Sequence, residues 1–282
     1  LFMLTNPPKT RTFSRTWPRS MVGVDVVAVA QWLGFMGLAH GASLLLLRRR
    51  SWFASKDTAD QSTIAQAVVN VGLTGTLCIL YAHSVLSTLG VSGAMDDARA
   101  ADRMYGSPQA YAPTMRINLA MVLYETVFYV KYGKSLDLWI HHILGVFILV
   151  ITLRTEQCGA YLAWAGTAEG TTVFLGVRTF LMQAGMQASP LYVVNGVLLW
   201  LSFLLLRVMS LFVCSWRLMV DMYHGIQPPS DITERYEAFH TLMLLSCLFI
   251  WALSTWWFWK ITVGLLRALG LLKSPMPPSK QS

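Results

Sequence analysis

Seven apolar runs follow one another through the 282-residue chain, at roughly 22–47, 63–91, 117–131, 135–153, 158–184, 191–213 and 238–259. A helix needs about 20 such residues to cross the hydrocarbon core, and inside it every backbone N–H and C=O must be satisfied within the segment. Runs of this length leave no room for a soluble domain of ordinary size between them. The chain is therefore predicted to be an all-α integral membrane protein with about seven transmembrane helices. Charged residues make up 13% of it, about half the share usual in soluble domains.

The runs are not equivalent. The third is short and the fifth only weakly hydrophobic, so both are expected to line a cavity rather than face lipid. The stretch "WWFWK" sets Trp256, Trp257, Trp259 and Lys260 where an indole belt marks the head-group level, and span seven is expected to end there. Beyond it, "ITVGLLRALGLLK" reads as an amphipathic interfacial helix and "SPMPPSKQS" as irregular, so that 266–282 is an interfacial and irregular tail. Lys131 and Lys134 in "KYGK" read as head-group anchors, and loop 92–116 as solvated. Loop lysines and arginines divide almost evenly between the two sides of a seven-span arrangement, so the positive-inside rule assigns no orientation.

A net charge of +8 is scattered through short loops and tails and forms no stripe. Nucleic acid is not the expected partner; membrane lipid is. The four cysteines, Cys78, Cys158, Cys214 and Cys247, are far apart in sequence and read as apolar thiols without metal spacing. No cofactor or metal is expected. The polar tail 1–21 carries Lys9, Arg11, Arg15 and Arg19, with no acid before Asp25, and the chain begins with Leu. These features are shared with mitochondrial transit regions after removal of a leader, although a juxtamembrane basic flank has the same composition.

Ionisable residues inside apolar runs cost at least about 2.5 kcal/mol at a helix centre, so each needs a partner, a cavity or a function. They are Glu125, Asp137, His141, His142, Glu169, Arg178, Arg207 and His240. Asp137 and His141 are four apart, so the carboxylate is expected to accept from the imidazole and fix its tautomer. Glu169 and Arg178 are nine apart, on opposite faces of a regular helix, so each is expected to pair elsewhere unless "AEGTT" breaks the helix. Three readings fit the histidines: neutral packing groups bonded to other helices, a metal site completed by distant ligands, or a polar pocket for a lipid head group.

"YE" at 124–125, "HH" at 141–142 and "EGTTVFLGVR" at 169–178 together resemble the TLC-domain family, which includes the ceramide synthases and translocon-associated membrane proteins. The resemblance covers roughly residues 60 to 265, after a first helix and basic loop at 22–59. It implies six membrane helices around a lipid-sized cavity. Tyr124, Glu125, Thr172, Arg178 and Arg207 are the candidate pocket residues. In ceramide synthases the paired histidines are followed by His-Asp-x-x-Asp; here Ala168 and Thr172 stand at the histidine and the second aspartate. The chain thus looks like the branch linked to lipid sensing, transport and membrane composition.

Two functions follow as expectations. One is a non-catalytic accessory or scaffolding subunit that holds a lipid within a larger membrane complex, with other subunits as partners. The mitochondrial inner membrane is its leading compartment and the endoplasmic reticulum the alternative. The other is an acyl-CoA-dependent lipid acyltransferase or lipid-homeostasis protein, with His141 or His142 as base or nucleophile and Asp137 or Glu169 orienting it. The enzyme would also need a phosphate site, for which "KYGK" and Arg154 are the candidates.

Overall fold

The computed structural model describes residues 24–106, 108–132, 135–226 and 237–272. All regular structure among them is helical. Eleven α-helices follow in order: α1 (Val26–Leu47), α2 (Ser51–Ala54), α3 (Thr58–Gly93), α4 (Ala100–Tyr105), α5 (Pro108–Tyr132), α6 (Leu136–Thr155), α7 (Gly159–Gly166), α8 (Gly170–Gln183), α9 (Pro190–Ser202), α10 (Ser210–Tyr223) and α11 (Glu237–Ala268). The basic tail 1–21, Lys134, Lys273 and the tail beyond it lie outside the described residues.

Five segments among the described residues are long and apolar enough to cross a membrane: α1, α3, α6, Pro190–Tyr223 and Ala238–Ala268. The third and fifth expected spans are not among them. The third is the second half of a longer, less apolar helix, because α5 starts at Pro108. The fifth is not one regular α-helix: a 3₁₀ turn over Thr167–Glu169 lies between α7 and α8. The sixth is longer than expected, since α9 runs through a π-helical turn at Phe203–Met209 into α10.

Helix ends follow local chemistry. The carboxylates of Asp25 and Asp57 cap α1 and α3 by accepting from Ala28 and Asp60 backbone N–H groups. Near the other end of α3, Gly90 has φ +71°, a left-handed conformation that kinks the helix and that glycine adopts without steric cost.

Two apolar cores organise the bundle. One joins α1, α3, α5, α6 and α7 through residues such as Leu77, Tyr81, Leu119 and Leu153. The other joins α4, α6, α7, α10 and α11 through Met104, Tyr161, Leu218 and Met243, and it also buries Cys158, Cys214 and Cys247. Helix α8 lies close against α3 because it presents glycine there. A Cβ on Gly176 would stand 2.6 Å from Val71 Cγ2 and 3.0 Å from the Ala67 carbonyl. Such small-residue seams are how helices associate where burial from water supplies no driving force.

Two expectations at the ends of spans are corrected. Loop 92–116 is not solvated throughout, for Arg103 is 1% exposed and Met104, Tyr105, Tyr111 and Met115 are buried. Arg103 is tolerated because its guanidinium binds Asp221 through Nε at 2.8 Å and Nη2 at 2.9 Å, while Nη1 donates to the carbonyls of Gly93 and Asp96. The helix of span seven does not end at the tryptophans, because α11 continues unbroken to Ala268, and no separate helix begins after them.

Candidate functional site

Between α5, α6, α7, the π-turn, α10 and α11 lies a cavity with an empty volume of about 770 Å³, its mouth included. Leu144, Ile148, Leu149, Leu162, Leu211 and Ile250 make its wall largely apolar. The chemistry is concentrated in Asn118, His141, His142, Glu169 and Arg207. Ser246 also lines it, but its hydroxyl is taken by the Leu242 carbonyl at 2.7 Å.

Each polar group arrives by a local rule. His141 and His142 sit in the second turn of α6, about 8 Å along the axis from its start. Glu169 sits at the end of the 3₁₀ turn Thr167–Glu169, within "AEGTT", and lines the cavity from there. Arg207 lies within the π-turn, where one extra residue shifts the helical register and re-aims side chains.

His142 is 5% exposed, and its Nε2 lies 3.5 Å from Oε2 of the buried Glu125. Glu125 Oε1 accepts from Asn70 Nδ2 at 2.5 Å, so α3, α5 and α6 meet at one carboxylate. Tyr129 packs edge-on against the His142 ring at 4.5 Å. His141 meets Trp257 edge-on at 5.7 Å, and its Nδ1 is buried without a hydrogen-bond partner among the described residues. Arg207 Nε donates to Thr171 Oγ1 at 2.8 Å, and the guanidinium lies near the Phe203 and Trp257 rings at 5.3 and 5.9 Å.

The expected Asp137–His141 pair does not form. The Asp137 carboxylate instead accepts from Trp257 Nε1 at 2.8 Å. Trp257 is therefore turned inward from the belt expected of it, while Trp256 and Trp259 are exposed and Lys260 lies 4.8 Å from the Trp256 ring. Other expected pocket residues point elsewhere. The Tyr124 hydroxyl bonds His40 Nδ1 at 2.9 Å toward α1, Arg178 lies 5.3 Å from the Tyr192 ring, and neither these nor Thr172 line the cavity. His240 bonds Gln157 at 2.7 Å at the α6–α7 turn.

Lys131 stands beside Tyr132 just before α6, whereas Arg154 is in the last turn of that helix, roughly 25 Å away along the axis. They do not form one phosphate site. Among the described residues no group of three His, Cys, Asp or Glu side chains is placed to hold a metal ion. Sequence reasoning did not single out Asn70 or Asn118. Both are amides inside or beside apolar runs, which is the signal that selected the charged residues.

The profile of the TLC domain matches residues 60–263, nearly three quarters of the chain. The chain belongs to the TLC-domain family. Helices α4 to α10 and nearly all of α3 and α11 fall within the matched TLC domain, and α1 and α2 precede it. Neither curated proteins nor solved structures gave a match. The TLC domain thus contains the cavity and all five of its chemically active side chains.

Proposed function

We propose that this TLC-domain membrane protein holds one lipid or acyl-chain ligand in its cavity, with the polar part of the ligand against His141, His142, Glu169 and Arg207. The observation that carries this reading is the cavity itself: an apolar wall with a few polar groups gathered in it. Holding is favoured over turnover because Asp137 is engaged by Trp257, which leaves His141 without an orienting carboxylate. The protein then acts as a lipid-holding accessory subunit. The acid-free basic segment before Asp25 is what supports a mitochondrial inner-membrane setting.

A second reading, acyl transfer, is favoured by one specific contact. His142 does have a carboxylate, Glu125, and in that arrangement the imidazole would take a proton from an attacking hydroxyl or amine. The test is to purify the protein from native membrane without added lipid and identify the retained lipids by mass spectrometry. The holding reading expects a stoichiometric lipid in wild type, lost when Gly145→Trp fills the cavity. It also expects unchanged cellular lipid composition when His142→Ala accumulates normally. A changed acyl-lipid profile in that variant favours the transfer reading instead.

A further inference from the structure

Arg207 and Glu169 line the same cavity from different elements, the π-turn and the 3₁₀ turn, and feel each other's charge without making an ion-pair contact. Among the described residues, no carboxylate lies within ion-pairing distance of Arg207 and no cation within that distance of Glu169. Arg207 is 5% exposed, and its hydrogen bond to Thr171 uses only Nε. The guanidinium keeps its charge at any working pH and offers five N–H donors. A buried charge with unused donors beside apolar wall is costly unless something bound there answers it.

We infer that the ligand's head group carries both charges: a phosphate or carboxylate held by Arg207, and an ammonium held by Glu169. This rests on the lipid-holding reading above and names its substrate class. A purely anionic head group would bring its charge up against Glu169. A purely cationic one would face Arg207. A zwitterionic head group leaves neither side chain unanswered.

Two further atoms fit the same arrangement. Asn118 Oδ1 is a buried acceptor without a partner, because the amide's Nδ2 donates to Tyr81 Oη at 3.0 Å. His141 Nδ1, also unpartnered, has a hydrogen bond to give or accept at the head group. The acyl chain lies along Leu144, Ile148, Leu149, Leu162, Leu211 and Ile250.

The test is native mass spectrometry of the full chain in detergent, with equimolar lysophosphatidylethanolamine, lysophosphatidylglycerol and free fatty acid of one chain length. Wild type is expected to retain the ethanolamine lipid at least about tenfold over the other two, equivalent to about 1.4 kcal/mol. Glu169→Gln should abolish that preference by losing the ethanolamine lipid, while Arg207→Gln should weaken retention of all three. If Arg207→Gln does not accumulate, Arg207→Lys, which keeps the charge but loses the planar fork, should retain the preference at lower affinity. Equal retention of all three by wild type, or an unchanged preference in a monodisperse Glu169→Gln protein, overturns the head-group assignment and leaves lipid holding intact. Retention of none overturns both.

Discussion

Glu125 and His142 face each other across α5 and α6, with Oε2 3.5 Å from Nε2 and both residues buried. The carboxylate's other oxygen is held by Asn70 from α3. Three helices of the matched domain therefore converge on one carboxylate, which supports one of the two histidines that line the cavity.

Replacing Glu125 tests how much of that junction is structural. Glu125→Ala strands Asn70 Nδ2 and removes the His142 partner, and each buried polar group left unsatisfied costs about 1–3 kcal/mol. Glu125→Gln keeps an acceptor for Asn70 and should cost less than half as much. Thermal unfolding in detergent, read by size-exclusion chromatography of heated samples, is expected to rank wild type above the glutamine variant and that above the alanine variant. Equal midpoints for the two variants would show that the Asn70 contact contributes nothing.

A second junction holds the opposite end of the bundle. Arg103 and Asp221 have fully buried side chains, Tyr161 donates to the same carboxylate, and Arg217 Nη2 lies 2.5 Å from Asp221 Oδ1. Removing one partner of such a network leaves an uncompensated buried charge, which costs about 3–5 kcal/mol. Asp221→Ala is accordingly expected to abolish accumulation of folded protein, and Asp221→Asn to lower it sharply. Arg103→Met combined with Asp221→Leu should recover more folded protein than either single change. A double variant no better than the singles would show that the charges themselves are required.

That junction continues to the surface at Asp97, whose carboxyl the Arg217 hydrogen bond and charge hold below the usual carboxylate range. A carboxyl whose folded pKa is depressed stabilises the fold above its unfolded pKa. The contribution is lost as pH falls through the folded value. Asp97 is 71% exposed, so solvent screening limits the contribution to less than about 1 kcal/mol. Asp97→Asn is expected to lower the unfolding midpoint slightly at pH 7 and to shrink its fall between pH 5 and 3. A variant that loses stability equally at both ends of that range would remove Arg217's role.

Close backbone approach makes a steric prediction. A Cβ on Gly166 would lie 2.4 Å from the Tyr81 ring, which is fully buried and whose hydroxyl holds Asn118 at the cavity. Gly166→Ala should therefore cost about 1–3 kcal/mol by overpacking. Gly145→Ala, where nothing lies within 4 Å of the added carbon, should be neutral or stabilising by up to about 1 kcal/mol. Similar midpoints for the two alanine variants would contradict the tight seam between α3 and α7.

The residues that could be read in advance were those whose chemistry is wrong for hydrocarbon. Glu125, His141, His142, Glu169 and Arg207 stand out in apolar runs because a charge or imidazole there needs a reason. A regular helix is expected through "AEGTT" unless it breaks there, and the 3₁₀ turn that lies there, with Glu169 beside the cavity, depends on packing that the sequence pattern does not show. Arg103 and Asp221 were invisible for the opposite reason: they sit in polar stretches where charges are ordinary, and only tertiary packing buries them. Spacing also misassigned Asp137. A helix-face argument sees only its own helix, and the indole that takes the carboxylate comes from α11, 120 residues later.

Trp257 is where that long-range pairing bears on the ligand. Its Nε1 donates to Asp137 near the α6 N-terminus, its ring meets His141 edge-on, and the Arg207 guanidinium lies near it at 5.9 Å. Trp257→Phe keeps an aromatic surface for the imidazole and guanidinium but removes the indole donor to the carboxylate. The freed Asp137 is then available to His141, one turn along α6. If the tryptophan works by keeping that carboxylate away from the cavity, Trp257→Phe should weaken lipid retention severalfold, and adding Asp137→Asn should restore it. If its ring is what matters, Trp257→Phe should bind normally and Trp257→Leu poorly, whatever stands at Asp137. Native mass spectrometry of the four proteins distinguishes the two, because only the first mechanism makes the effect of residue 257 depend on Asp137.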